Sequence, residues 1–509
     1  MRKWWPLLVV SVVAALVFLW RLGSWSLGDW DEAIYAQMSK EMLQTGDWIT
    51  IHWNFRPNFE KPPLMIWATA VLFQCFGVSE FWARAVSAFS GVGLVAVSYL
   101  IGTRIYDWRV GLGAAAILLS AEQFVKASRF GTMDVFLSLW VYPAIYCYLV
   151  LKDKGERWWY AVWISAAMAI MTKGAGVIAP ATIGLSLLLE GRVGAAVRSK
   201  HFIGGIVVAA VIALFWHVVV YLRHGQAFLD SYLGYHVFTR FTEPIRGGTR
   251  GPVWYAEVLR SLFFPWTYVA LFAVLLAIKE NFPKRTNSII LLAVIVVVIG
   301  LYGAAKTKFR WYVIPACPSL AILTASLVVK AIEDRKALAY GGLLVAAALV
   351  IVNAPAKLAL LFGLVLLGVC LFGWARRRPL DRALAISIGC YLLFAGMVTT
   401  RRAFLERGMA PGARLATAAA THDPADHEPI LVYLKNVFPS VLYYSGRPTD
   451  ELKSREDLNQ AMDRYGTKRR IILPRSELGD LQSQFSVEVV TEADDLVYAN
   501  IADKRRGGS

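Results

Sequence analysis

About 13 apolar stretches, each near the length that crosses a bilayer, follow one another through the first four hundred residues, and little but a membrane accommodates such a chain. They lie near 4–22, 82–103, 110–122, 135–151, 158–172, 174–190, 202–222, 254–278, 287–304, 311–329, 338–353, 356–374 and 383–400. The composition agrees, with 57% hydrophobic residues, 17% charged residues and a mean hydropathy of +0.50. An ordinary soluble globule is excluded. The net charge of +17 does not mark a nucleic-acid binder, because the basic residues gather in short loops between spans, as the positive-inside rule requires.

That rule also orients the chain. With the N-terminus in the cytoplasm, the inner loops carry Arg104 and Arg109, then Lys152, Lys154 and Arg157, then Arg192, Arg198 and Lys200. Later inner loops carry Lys279, Lys284 and Arg285, then Lys330, Arg335 and Lys336, then Arg376–Arg378 and Arg382. An odd number of spans places the C-terminal region outside. The first span follows Arg2-Lys3 like a signal peptide, but Arg21-Leu-Gly-Ser-Trp25 offers no small-residue cleavage site, so it reads as an uncleaved helix. Cysteines 75, 147, 317, 370 and 390 are scattered through apolar sequence without metal or disulfide spacing.

The first outer loop, 23–81, concentrates charge where the chain first leaves the membrane. Asp29 and Glu32 have the D-x-x-E spacing of a helix capping pattern. Asp31 is not needed for that cap, and a functional carboxylate is the sharper reading. Residues 31–44 place Ile34, Met38 and Met42 on one stripe, with Glu32, Lys40 and Glu41 available for the wet side. Residues 62–77 form a second apolar stretch opened by Pro62-Pro63. Both predict helices lying at the interface. Glu60 suits a helix N-terminus, whereas Lys61 opposes the macrodipole there unless an anion sits beside it.

Several outer segments are basic against the topological trend: Lys126 and Arg129, then Arg223, Arg240, Arg246 and Arg250, then Lys306, Lys308 and Arg310. Snorkelling side chains explain them blandly; an outward-facing phosphate pocket explains them together. Asp134 enters a span from the same side, as a cap, an Arg129 partner or a second acid. Residues 232–260, inside and beyond the long outer loop 223–253, are rich in glycine and aromatics and predict a lid or binding loop. Lys306-Thr-Lys308-Phe-Arg310-Trp-Tyr312 reads as an interface belt or as a phosphate clamp with Lys61 and Arg240. Glu60 and His236 are candidate ligands of a divalent ion, though His236 has no second ligand at helical or hairpin spacing.

After residue 402 the composition turns polar. Short apolar runs near 429–433, 441–445, 469–473, 486–490 and 496–501, with a helical pattern near 455–465, predict a small α/β domain over 403–509. The expected architecture is therefore a polytopic α-helical membrane domain over 1–402, with juxtamembrane helices in its outer loop, and a small periplasmic α/β domain. No internal repeat appears, which disfavours the rival class, a secondary transporter or lipid flippase with matching halves.

Asp31-Glu-Ala-x-Tyr35, Gly46-Asp-Trp48 and Phe59-Glu-Lys-Pro-Pro-Leu64 together give the chain a recognisable signature. It resembles the lipid A aminoarabinose transferase and protein O-mannosyltransferase superfamily of GT-C membrane glycosyltransferases. Arg129…Thr-Met-Asp134, His236…Arg240-Phe, Trp254-Tyr255, Phe263-Phe-Pro-Trp266, Arg310-Trp-Tyr-Val-Ile-Pro315 and Leu442-Tyr-Tyr-Ser-Gly-Arg-Pro448 support the resemblance, which runs over most of the chain. Ile34 stands where the family usually has arginine, and Asn58 where an aromatic is common, so the resemblance is to the superfamily rather than to the aminoarabinose enzyme in particular.

The resemblance implies a GT-C fold in a bacterial inner membrane. It also implies inverting transfer of a sugar from a polyprenyl-phosphate carrier to a periplasmic acceptor. That acceptor is expected to be lipid A receiving 4-amino-4-deoxy-L-arabinose or a related sugar, with protein or glycan as the alternative. By position, Asp31 and Asp134 match the catalytic acids. Glu60, Lys61, Tyr35, Arg240 and Tyr312 match positions around the carrier, and Lys306, Lys308 and Arg310 are candidate phosphate contacts beside them. No cofactor is expected beyond a possible divalent metal, and the partners are the carrier, the acceptor and membrane lipids, with no nucleic acid.

Overall fold

The structure is a computed structural model that describes residues 5–244, 250–251, 254–264, 266–284, 287–334, 413–417, 428–433, 439–466 and 468–504. The expected spans 338–353, 356–374 and 383–400, the boundary at 402/403 and Arg246 lie outside them.

The helices run in order as α1 (Trp5–Leu19), α2 (Asp31–Thr45), α3 (Leu64–Phe76), α4 (Glu80–Ile105), α5 (Trp108–Ser120), α6 (Glu122–Ser128), α7 (Met133–Lys154) and α8 (Trp158–Thr172). They continue as α9 (Ile178–Glu190), α10 (Val193–Arg198), α11 (Lys200–His224), α12 (Gln226–Leu229), α13 (Arg240–Thr242), α14 (Trp254–Leu262), α15 (Thr267–Lys284), α16 (Ile289–Ala304) and α17 (Cys317–Asp334). Strands β1 (His52–Trp53) and β2 (Arg56–Pro57) form a small hairpin between α2 and α3. Among the described residues, four helices are long and apolar enough to cross a membrane, or six if the bent pairs α5–α6 and α14–α15 each count as one. The other apolar helices are shorter than a full crossing.

Two expected straight spans are broken. The stretch 110–122 becomes α5 and α6, bent by 76°. Ala121 is extended there, and Ser120 Oγ turns back to the carbonyls of Ala116 and Ile117 while receiving Trp266 Nε1 at 3.0 Å. The stretch 254–278 becomes α14 and α15, with Pro265 in the intervening sequence. Thr267 Oγ1 donates to the carbonyls of Leu259 and Arg260 at the end of α14. Proline cannot donate an amide proton to a continuing helix.

The chain divides into two compact units, neither of which is continuous in sequence. The first comprises Met1–Trp20, Phe59–Met65 and Val86–Glu406. Within it α7, α8 and α11 pack side by side, and α5 and α15 flank α17. Tyr142 on α7 ties the segment before α17, donating to Pro315 O at 2.9 Å and accepting from Ser319 N at 2.9 Å. Gly111 on α5 lies so close to α4 that a Cβ there would stand 2.6 Å from Tyr99 O.

The second unit comprises Arg21–Asn58, Ile66–Ala85 and Arg407–Ser509. It contains β3 (Ile430–Tyr433), α18 (Pro439–Ser445), β4 (Thr449–Leu452), α19 (Arg455–Tyr465), β5 (Lys468–Pro474), α20 (Leu478–Gln482), β6 (Phe485–Ala493) and β7 (Leu496–Asp503). The strands form one sheet in the order β4-β3-β5-β7-β6, with β3 parallel to β4 and β5 and the remaining pairs antiparallel. Alternation in the strands serves two faces: Leu431, Ile471, Leu473, Val497 and Ala499 pack with Leu458 and Met462 of α19, while Ile430, Ile472 and Tyr498 pack with Val441 of α18. Ser454 and Asp457 form a capping box at the start of α19.

The run 441–445, expected as a strand, is helical. Its apolar residues meet two surfaces, with Val441 against the sheet and Tyr443 in a cluster with Leu27, Ala33, Ala36, Phe73 and Ala83. The second unit is therefore not the C-terminal region alone. Segments of the first outer loop share its core.

Candidate functional site

Phe59 anchors the chain ahead of Glu60 by packing on the rings of His224 and Phe228, 5.0 and 5.7 Å away. Glu60 Oε1 then accepts Lys61 Nζ at 2.9 Å and Arg240 at 3.1 Å. Burial alone would push the Glu60 carboxyl up, but Lys61 and Arg240 outweigh it and hold it at about 2. Lys61 is pushed below the usual lysine range, first by burial, with Arg240 and Lys173 adding to the effect against Glu60.

Arg240 reaches this place because the segment before it is helical. The expected glycine-rich loop is corrected here, since 226–242 is continuous helix with a π-helical stretch at Asp230–Thr239. Its aromatic side chains find partners, Phe228 stacking on Tyr232 at 5.4 Å and Tyr232 meeting His217. Single π-helical turns recur at functional sites. The backbone amides of Lys306 and Thr307 donate to Phe241 O and Arg240 O, fastening this segment from a second loop.

Asp134, at the start of α7, pairs with Lys173 at 2.9 Å, and the two side chains are only 3% and 12% exposed. Lys173 Nζ also stands 4.4 Å from the ring centre of Tyr312, which stacks on Tyr302. Burial would lower Lys173, but Asp134 outweighs it and holds the ammonium above the usual lysine range. The hydroxyl of Tyr302 is buried without a hydrogen-bond partner. Lys173 is the cation that sequence reasoning passes over. Its signal was present, a single lysine between two apolar spans.

The other candidate residues make contacts of their own. The Arg129 guanidinium donates to the carbonyls of Val17, Phe18 and Trp20 at the end of α1. Lys126 pairs with Glu122. Lys308 is buried and donates to Ala305 O, and Arg310 donates to Ser261 Oγ, so neither shares the Glu60 cluster's contacts. His236 feels Glu60, yet burial leads in pushing its imidazole down to about 4. Among the described residues, no group of three His, Cys, Asp or Glu side chains could hold a metal ion. An ion on Glu60 would also compete with Lys61 and Arg240.

An apolar cavity of about 610 Å³ opens beside this cluster, lined by Trp163, Ile206, Leu214, His217, Phe228 and Tyr232 among others. Phe228 belongs to both the cavity wall and the contact with Phe59, the residue before Glu60.

In the second unit, Asp31 opens α2 and Tyr35 lies buried one turn later. The Asp29–Glu32 capping box does not form. Asp29 accepts the amide of Ser440, and Glu32 is buried against Arg84 and the Gly28 amide. Glu41, expected on the wet side, is also buried, where it accepts Gln37 and the amides of Asn54 and Phe55 in the β1–β2 turn.

Residues 60–218 match the family described as dolichyl-phosphate-mannose-protein mannosyltransferase. A Pseudomonas fluorescens undecaprenyl phosphate-alpha-4-amino-4-deoxy-L-arabinose arabinosyl transferase is 26% identical over 437 residues, 80% of this chain and 73% of that protein. The Serratia proteamaculans enzyme of the same name is 28% identical over 63% of this chain and 59% of its own length, less than two thirds. The crystal structure of ArnT from Cupriavidus metallidurans bound to undecaprenyl phosphate superposes with a TM-score of 0.74 at 22% identity, covering 98% of each chain. That likeness shows a shared fold with ArnT along nearly the whole chain. Within this fold, the cluster of cations around Glu60 is the feature that bears on chemistry.

Proposed function

We propose that this protein transfers a sugar from a polyprenyl-phosphate carrier to a periplasmic acceptor, lipid A in the first instance, with 4-amino-4-deoxy-L-arabinose or a related sugar as the group moved. The observation that carries this reading is the juxtaposition of Lys61, Arg240 and Lys173 with an apolar cavity reached through Phe228. A phosphate head and an isoprenoid chain need those two environments side by side. The names of the relatives support the same donor.

In the reaction, the bond from the anomeric carbon to the carrier phosphate breaks, and the acceptor oxygen bonds to that carbon from the opposite face. Charge grows on the departing phosphate. Lys61, Lys173 and Arg240 would stabilise it, and preorganised charge of this kind is often the largest catalytic contribution. Asp31 orients the acceptor or takes its proton. An ionised lipid A phosphate needs only orientation, whereas a sugar hydroxyl needs a base. Asp134 serves through Lys173, keeping that ammonium charged. Tyr35 and Tyr312 belong to the surroundings of the donor, and Lys306, Lys308 and Arg310 to the loops framing the outer opening. The N-terminus is cytoplasmic, and the sheet of β3–β7 faces the periplasm of an inner-membrane protein.

Mass spectrometry of lipid A from cells with and without the protein tests the reading. An added aminopentose- or hexose-type mass that disappears in Asp31→Asn is the expected result. Lipid A of unchanged mass in cells that make the protein would overturn the acceptor assignment.

A further inference from the structure

Arg84 is fully buried near the start of α4, and all five of its N–H groups have acceptors. Nε and Nη2 reach Glu32 Oε1 and Oε2 at 2.7 and 3.0 Å. Nη1 reaches the carbonyls of Leu22 and Trp25 at 3.0 and 2.8 Å, and Nη2 also reaches Ser26 O at 2.8 Å. The guanidinium lies 4.9 Å from the centre of the Trp25 ring. A planar fork used this fully fixes whatever it binds, and here it binds the chain leading into α2.

That chain is strained immediately before Asp31. Trp30 has φ 72° and ψ −133°, a conformation that L-residues with a side chain rarely adopt. Such strain persists only where the surroundings over-determine it. They do so on both sides. Glu32 Oε2 accepts the Gly28 amide at 2.7 Å, and Asp29 Oδ1 accepts the Ser440 amide at 3.0 Å. Gly28, Asp29 and Glu32 are thus tied down, and Trp30 and Asp31 are the two residues forced between them.

We propose that Arg84 and Glu32 are positioning residues whose latch imposes the Trp30 turn and so sets the direction of the Asp31 carboxylate. The proposal rests on the reading of Asp31 as a participant in sugar transfer. It assigns the ion pair a role that a helix cap alone would not need, because an ordinary N-cap would start α2 without a strained tryptophan.

The test is steady-state transfer by purified protein, using polyprenyl-phosphate aminoarabinose and lipid A, for wild type, Glu32→Gln, Arg84→Lys and each of these combined with Trp30→Gly. Expected for Glu32→Gln is at least a tenfold loss of kcat with carrier KM within twofold of wild type and an unchanged gel-filtration profile. Trp30→Gly in that background should recover at least threefold, since glycine adopts the turn without being forced. Should Glu32→Gln not accumulate as a monodisperse protein, Arg84→Lys is judged by the same thresholds. Wild-type kcat in a latch variant overturns the proposal while leaving the transferase reading intact, as does a loss that falls on KM or is not recovered by glycine. A wild-type protein that transfers nothing overturns both.

Discussion

Lys173 shows how a single side chain is held charged in an apolar setting. Asp134 supplies its counter-ion, and the face of Tyr312 covers its other side. Removing one partner of such a buried pair costs about 3–5 kcal/mol, because the remaining charge is left uncompensated. Asp134→Asn should therefore lower the thermal unfolding midpoint in detergent markedly, and Lys173→Met added to it should restore part of the loss. A midpoint unchanged by Asp134→Asn would contradict this account. At this scale the sequence singled out charged residues without showing what they touch. Lys61 stood out because its charge opposes the helix dipole, and Arg240 because its charge opposes the topological trend. Arg129 stood out for the same reason yet serves carbonyls at the end of α1, and Lys173 was hidden by its isolation.

At the scale of elements, apolar length located helices well, and ten of the expected spans fall on described helical segments. What length could not show was where a helix turns. The break at Ala121 depends on Ser120 meeting Trp266 from far along the chain. The helical course of 226–242 depends on Phe228 and Tyr232 having α11 to pack on, although glycine content suggested a loop. Helix contacts also set tolerances that no local pattern records. A Cβ on Gly111 would stand 2.4 Å from Thr103 Oγ1 as well as close to the Tyr99 carbonyl. Small residues let membrane helices approach in this way. Gly111→Ala should destabilise the α4–α5 contact by about 1–3 kcal/mol, the usual range for overpacking. Hydrogen exchange in detergent should show it as faster exchange in α4 and α5 than in α7 and α8.

The whole molecule was legible as a multi-pass membrane protein with an α/β portion, but its grouping was not. Sequence suggests a membrane domain followed by an appended domain. The structure instead groups β3–β7 with α2, the start of α4 and much of the first outer loop. Partners four hundred residues apart make this unit: Leu27 with Tyr444, Asp29 with Ser440, and Asn54 with Thr449 in both directions. Lys40 adds a bond to Tyr443 O at 2.9 Å. Deleting 407–509 should leave a protein that still inserts but transfers no sugar, with protease cleavage in 46–58 much faster than in the intact chain. Equal cleavage rates would argue against this interdependence.

The same long-range grouping has a consequence for biogenesis. The segment bearing Asp31 leaves the ribosome about four hundred residues ahead of Tyr443, Tyr444 and Thr449. Throughout translation, the carboxylate of Asp29 and the buried face of α2 must wait without their final neighbours. The protein therefore cannot ripen in the order it is made: this loop is finished only after about four hundred further residues have followed it, and a chain cut short before Ser440 carries an unfinished loop throughout.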